Sequence, residues 1–410
     1  MKDPVSFSVG YSFQPGLIKR LAEMTEVKEV YGCRGYDSIG SGRSAYTLVP
    51  VSDRTIGEAV TEAHREGLSF NYLLNAASLY GIEQTRQGNR LIRRTLDRLS
   101  ALGVDALTLC APLLLRIVKK QYPHFKVRVG AFTMIDSPAK ALRWEEMGAD
   151  TLCLSAIACN RDFSKLRDIR AAVRCGLQLI VNASCQPSCV WEATHMHLLS
   201  QSSMKGHSLK GFCLDYCFLQ CSAARIGDPA NFLKSIWIRP EDLWMYEELG
   251  YRDFKIVERS SPADIVLRRT SAYSNRSFDG NLWELVAPLA WITREQKAPW
   301  RIAARLLTFL ARPWFAPLSS MLDMKRYASS SIPHDFSRQS CPVYIDNRSL
   351  DGFIQGLRDR QCGGKTCASC GYCLDWADRA VTVEKQWRDT TAAMAQTLDA
   401  KLISGSLWGL

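Results

Sequence analysis

The residues of this chain best able to do chemistry are its fifteen cysteines, and their spacing sorts them into groups. Cys185 and Cys189 stand four apart in "NASCQPSCVW", directly after the apolar run "LQLIV". Cys213, Cys217 and Cys221 recur every four residues in "GFCLDYCFLQC". If that segment is helical the three share one stripe, which on its own describes a cysteine-rich core face. Two C-x3-C pairs also supply the four thiolates that hold a 4Fe–4S cluster, with Cys213 left over. Downstream, "CGGKTCASCGYC" carries Cys362, Cys367, Cys370 and Cys373 as C-x4-C-x2-C-x2-C. Soft thiolates suit zinc and iron–sulfur centres alike, and the glycines between them let the backbone wrap tightly. Zinc ribbons separate their knuckles by a long loop, whereas successive x2 spacings belong to the compact ferredoxin-type run. A second 4Fe–4S cluster is therefore expected there ahead of zinc.

The compartment expected for the chain keeps those thiols reduced. "MKDPVSFSVGYSF" has no apolar stretch long enough for a secretory signal, and no run of about 18 uncharged apolar residues predicts a membrane span. A cytoplasmic location is the expectation, and there a cysteine-rich chain argues for metal ligation over disulfides. Apolar residues make up 47% of the 410, enough for a large packed interior, so disorder is not expected. The formal charge of +11 favours an anionic partner, but the basic residues form no dense block and no nucleic-acid motif accompanies them. Phosphate, carboxylate, nucleic acid and a lipid surface all stay open.

Something must position these groups, and the first 260 residues supply it. Short β-rich runs alternate there with helix-length segments, at 6–11, 27–32, 69–75, 106–110, 126–132, 151–156, 177–182 and 254–259. Eight parallel βα units predict a closed (β/α)8 barrel, a TIM-like α/β fold, with an open doubly wound sheet as the other arrangement. In a barrel the reactive groups sit at the C-terminal ends of the strands. Cys33 follows the second strand, Asn75 ends the third and Asp136 lies past the fifth, while Cys185 and Cys189 follow the seventh and Glu258 and Arg259 close the eighth. One mouth would gather them. The expected division is a barrel over 1–262, a helical connecting region over 263–335 and a Cys-rich metal-binding extension over 336–410. Within the connecting region, "PWRIAARLLTFLARPWF" (299–315) predicts an amphipathic helix with Ile302, Leu306, Phe309 and Leu310 on one side. It docks on the barrel or makes peripheral contact with a membrane.

The polar groups of the mouth admit definite roles. A guanidinium forks onto a carboxylate, so Arg43, in "GSGRS", and Arg259 are candidate clamps for an anionic substrate, though an ion pair with a neighbouring acid is the plainer use of either. Glu258 is a candidate general acid or base, or a holder of Arg259 or Lys255. Asn75 and Asn182 would orient substrate oxygens or satisfy loop backbone. His195, six residues beyond Cys189, would move protons or hydrogen-bond a cluster sulfur. No G-x-S-x-G elbow and no H-E-x-x-H zinc motif occurs, and His195 and His197 are two apart, a spacing that points them in different directions on a helix.

"VYGCRGYDSIGSGR", "FNYLLNAAS", "NRDFSKLRDIR", the C-x3-C pair after the seventh strand, "DYCFLQC", "WIRPEDLWMYEELGYRDFKIVER" and the tail "CASCGYC" together resemble the collagenase-like peptidase family U32 over nearly the whole chain. The resemblance implies a barrel holding a 4Fe–4S cluster on four cysteines, which fall here on Cys185, Cys189, Cys217 and Cys221. It also implies oxygen-independent hydroxylation of a small-molecule, lipid-like or RNA acceptor, with a carboxylate donor such as prephenate as the source of the hydroxyl group. The family's name implies a peptidase instead, and a non-catalytic electron-transfer or scaffold role is a third reading. An electron-transfer protein or a paired family member is a partner on any of these. The C-x3-C pairs are tighter than in the better-studied hydroxylases, and the tail cluster is an addition, so the acceptor is not inherited.

Overall fold

The computed structural model describes residues 4–288, 314–333, 335–358, 360, 362 and 367–410. Eight parallel strands close on themselves in sequence order: β1 (Ser6–Gly10), β2 (Val27–Gly32), β3 (Ser69–Leu74), β4 (Ala106–Leu109), β5 (Lys126–Val129), β6 (Thr151–Cys153), β7 (Gly176–Ile180) and β8 (Asp253–Ile256). β1 pairs with β8, Ser6 opposite Asp253 and Val9 opposite Ile256, which shuts the sheet and rules out the open doubly wound arrangement. Every strand expected from the sequence is present. The last four stop two or three residues early, at Val129, Cys153, Ile180 and Ile256; after β5, for example, Ala131–Thr133 is a single 3-10 turn.

The outer helices follow from local signals. Ser52 accepts from the Thr55 N–H ahead of the helix Asp53–Arg65, and Ser137 accepts from the Lys140 N–H ahead of Pro138–Glu146, with Pro138 in the first turn. Ile56, Ala59, Val60 and Ala63 recur at helical spacing and are the buried side of the first of these helices.

Inside the barrel, the lower layer is polar and closed. Glu29 accepts from Ser8 Oγ at 2.9 Å and Asn71 Nδ2 at 3.0 Å, and Gln178 bridges Ser8 and Asp253. Glu29 and Asp253 both grip the Arg128 guanidinium at 2.7 Å, so these buried charges satisfy one another. Side chains on one face of a strand repeat every second residue. Tyr31, Cys153 and Lys255, two residues beyond Glu29, Thr151 and Asp253, therefore form the next layer toward the C-terminal face.

The division expected at 262 falls between β8 and the helix Ala263–Ser274, which packs on β1 and on the helix Leu17–Ala22 and so completes the barrel wall. The apolar core runs on without a break through Leu282–Val286 to Phe353 and Ala377. A smaller cluster joins Leu219 of the helix Tyr216–Gly227 to Tyr327 and Leu398. The amphipathic segment expected at 299–315 lies outside the described residues, Trp314 and Phe315 excepted. Among the described residues no helix is long and apolar enough to cross a membrane.

Candidate active site

The chain after β2 crosses the mouth as a strap. The Asp37 N–H donates to the Ser203 carbonyl at 3.1 Å, Ser41 N–H to Ser203 Oγ at 2.8 Å and Gly42 N–H to Asn75 Oδ1 at 3.2 Å. Gly40 permits this approach, since a Cβ there would stand 2.5 Å from the Ser200 carbonyl oxygen. The strap delivers Arg43 to Glu258. Nη2 donates to Oε2 at 3.0 Å and Nε to Oε1 at 3.4 Å, and the Ser260 hydroxyl adds a bond of 2.7 Å to Oε1. Glu258 is buried and sits at φ 115°, a value that residues other than glycine rarely adopt. Burial alone would raise its carboxyl, but Arg43 and Ser260 outweigh that and hold it below the usual range. Glu258 is thus a fixed carboxylate, able to accept a proton and unsuited to serve as a resting acid. Arg43 takes the plainer of its two expected roles, an ion pair with a neighbouring acid, and its partner Glu258 makes no ion pair with Arg259 or Lys255.

Arg259 has a different setting. It is buried, its Nη1 donates to Cys33 Sγ at 2.6 Å, and no carboxylate pairs with it among the described residues. Lys255 is buried as well, with Nζ 4.2 Å from the Tyr31 ring centroid, and burial pushes its pKa down against the pull of Cys153 and Glu29. The Tyr31 hydroxyl donates to the Ile256 carbonyl at 2.9 Å. Burial raises its pKa, and Arg259, Glu258 and Arg43 all act on it, so these groups surround one space. Tyr31 and Lys255 were not singled out as site residues by motif or spacing. Their signal was an ionisable group at an inward strand position, two residues past another.

Both candidate asparagines hold backbone. Asn182 ties the ends of β7 and β8, donating from Nδ2 to the Val257 carbonyl at 2.9 Å and accepting the Val257 N–H at 2.7 Å. Asn75 holds the strap through Oδ1. Asp136 pairs at 2.9 Å with Lys140, both partly exposed.

The thiols enter the mouth from two turns. After β7, a loop with Ser188 at φ 53° carries Cys185 and Cys189. Asp215 caps the helix Tyr216–Gly227 by accepting the Phe218 N–H at 2.9 Å, and that helix presents Cys217 and Cys221 on successive turns. Cys213 precedes the cap, so the three-cysteine stripe expected of a continuous helix does not form; Cys213 is buried beside Asp215, Ser202 and Ser44. The other four are electrostatic neighbours. Burial pushes the Cys185 thiol up to about 12, helped by Cys221 and Cys189, and pushes Cys217 to about 12, helped by Asp215, Cys221 and Cys189. Cys185 is nonetheless exposed. Exposure of the residue as a whole thus goes with a thiol that the surrounding protein desolvates. Arg225 approaches Cys221 Sγ at 3.6 Å while donating to the Ser184 carbonyl at 2.9 Å, and Arg43 acts on Cys185, which places thiols and cations in the same mouth. His195 Nε2 stands 3.1 Å from Asp215 Oδ2, whereas His197, on the same helix, turns to Tyr80, whose hydroxyl is 2.8 Å from Nδ1.

Among the described residues no group of three or more His, Cys, Asp or Glu side chains is arranged to grip a single metal ion. A 4Fe–4S cube is held at its corners by thiolates that stay apart. The four thiols Cys185, Cys189, Cys217 and Cys221 act on one another electrostatically and are soft donors of the kind an iron–sulfur cluster takes. In the tail, Cys362 and Cys370 are exposed and Cys373 is half-buried, while the side chain of Cys367 lies outside the described part. Arg360 Nη1 approaches Cys370 Sγ at 3.7 Å.

Fold and site together define a (β/α)8-barrel protein with a thiol-bearing, cationic mouth. The sequence model of peptidase family U32 matches residues 43–279, from Arg43 through the four mouth cysteines and past the last barrel helix, and the chain belongs to that family. An uncharacterized protease of Methanocaldococcus jannaschii is 28% identical over 347 residues, 84% of this chain and 86% of the relative. Among solved structures, the U32 peptidase Mk0906 aligns with a TM-score of 0.49 and 19% identity, over 64% of this chain and 95% of its own. A chitinase from Rhizomucor miehei aligns with a TM-score of 0.36 and 10% identity, over 66% and 99%.

Proposed function

We propose that this chain is an iron–sulfur-dependent enzyme of its family that carries out oxygen-independent hydroxylation at the C-terminal mouth of the barrel. The observation that supports the reading most is the juxtaposition of four thiols with buried cations: Arg259 and Arg43 act on Tyr31 together with Glu258, Lys255 stands over the Tyr31 ring, and Arg43 also acts on Cys185. Cys185, Cys189, Cys217 and Cys221 would hold a 4Fe–4S cluster, which when bound would supply a one-electron redox centre.

The chain's own residues do the rest. Arg259 and Lys255, neither paired with a carboxylate among the described residues, bind the carboxylate of an anionic donor, Arg259 through its planar fork and Lys255 as a point charge. Burial of both excludes bulk water and strengthens that contact. Glu258, held ionised by Arg43 and Ser260, accepts a proton from bound substrate at a carboxylate oxygen. His195, oriented by Asp215, exchanges protons at the rim. The acceptor is a small, lipid-like or RNA molecule.

The names of the relatives favour a second reading, a peptidase, and the Asp215–His195 pair is the arrangement in the mouth most like part of a hydrolytic triad. A nucleophilic thiol against that imidazole would complete it. Comparing metabolites and modified RNA from anaerobic cells with and without the gene separates the two. Hydroxylation leaves one species lighter by a single oxygen atom in the deletion strain. An intact peptide that accumulates there, and that the purified cluster-free protein cleaves, would overturn the proposal in favour of the peptidase.

A further inference from the structure

Arg225 ties together the two segments that bring the thiols to the mouth. It lies one turn beyond Cys221 on the helix Tyr216–Gly227, and long helical side chains lean back toward the preceding turn. Its Nη2 stands 3.6 Å from Cys221 Sγ, within hydrogen-bond reach of the large sulfur atom. Its Nη1 donates at 2.9 Å to the carbonyl of Ser184, the residue before Cys185. One guanidinium thus spans from the cysteines of the helix to the cysteines of the loop. Its carbon is 5.8 Å from the ring centroid of Trp283, a member of the apolar core.

Neither solvent nor a carboxylate balances this cation. Arg225 is 3% exposed, and among the described residues no acid pairs with it; Asp228, three positions on, is held by Lys234 at 2.8 Å. A buried charge without a counter-charge is costly, and the Cys221 sulfur is the group placed to become one. As a thiol it donates to the Phe218 carbonyl at 3.4 Å while the guanidinium approaches it. Ligation removes the thiol proton and the bond it donates, whereas the bond it receives becomes one between cation and thiolate and strengthens.

We propose that Arg225 sets the reduction potential of the mouth cluster, by donating to the Cys221 sulfur and by holding a positive charge beside it. The inference rests on the cluster of the proposed function and not on the hydroxylation. Charge fixes the sign. An oxidised 4Fe–4S core on four thiolates carries two negative charges, and one electron from a reductant makes three with no bond made or broken, so a neighbouring cation favours the reduced form. Burial leaves that attraction weakly screened.

The test is a dithionite titration of anaerobically reconstituted full-length protein, followed by electron paramagnetic resonance, for wild type, Arg225→Lys and Arg225→Met. The mouth signal is the part of the wild-type spectrum missing from Cys217→Ala, which separates it from any cluster in the tail. Arg225→Met should lower the ratio of reduced to oxidised mouth cluster about tenfold at a given potential, a shift of about 59 mV to more negative values. Arg225→Lys, which keeps the charge and loses the fork, should fall between Arg225→Met and wild type. Wild-type potentials in both variants, at whatever iron content, would show that Arg225 only braces the loop through Ser184 and would overturn the inference. A wild type without a mouth cluster would overturn the reading beneath it as well. If neither variant folds, a crystal structure of the reconstituted wild type decides: Nη2 should remain in hydrogen-bond reach of the Cys221 sulfur, and a guanidinium turned away from it would contradict the proposal.

Discussion

Glu258 is where the constraints on single residues converge. Its backbone holds a positive φ, a strain of about 1–3 kcal/mol that the surrounding contacts must offset, and its carboxylate is fixed by Arg43 and Ser260. A carboxyl whose pKa is lowered by folding contributes stability that is fully present above the unfolded value of about 4.3 and is lost as pH falls through the folded value. Glu258→Gln should therefore cost about 2 kcal/mol at neutral pH in urea unfolding, below the full cost of breaking a buried pair because Arg43 is partly exposed, and the two curves should converge in acid. A constant difference at every pH would mean that the charge is not what holds the pair. Arg259→Lys should weaken binding of a carboxylate donor about tenfold or more while leaving the cluster's visible spectrum unchanged, because the fork and not the charge is removed. Lys255 shows why this scale was only partly readable from sequence. A lysine in "FKIVER" looks like a surface residue, and only the closure of the barrel, which turns one face of every strand inward, makes it an interior charge beside Tyr31.

Among the elements, the helix Tyr216–Gly227 carries half of the mouth thiols, and its start decides which cysteines count. Asp215 accepts from the Phe218 N–H and also faces His195. Asp215→Ala should destabilise the protein by about 1 kcal/mol through loss of the cap, whereas Asp215→Asn, itself a good cap, should cost less although it equally removes the charge from His195. Equal melting temperatures for the two variants would show that the cap contributes nothing. Strand positions were readable from alternation and β-branched runs, and the (β/α)8 count followed. Strand ends were not, because apolar residues beyond Val129 and Ile256 continue the pattern after the strand itself has ended. Cys213 was placed on a stripe by its spacing, yet a capping aspartate two residues later starts the helix beyond it. The strap over the mouth left no periodic signal at all. It is held by Asn75 and Ser203 and by the absence of a side chain at Gly40, contacts between segments far apart in sequence.

For the whole molecule, the barrel, its last helix and the tail share one continuous core, so the two thiol groups belong to one packed body of the U32 family. In the proposed function the mouth thiols Cys185, Cys189, Cys217 and Cys221 hold a 4Fe–4S cluster and Cys213 does not take part. The direct measurement is iron and acid-labile sulfide per chain in anaerobically reconstituted full-length protein, compared among wild type, Cys217→Ala and Cys213→Ala. Cys217→Ala should lose about four irons and four sulfides per chain, and Cys213→Ala should lose none. Equal loss from Cys213→Ala, or no loss from Cys217→Ala, would contradict the ligand set and the chemistry built on it.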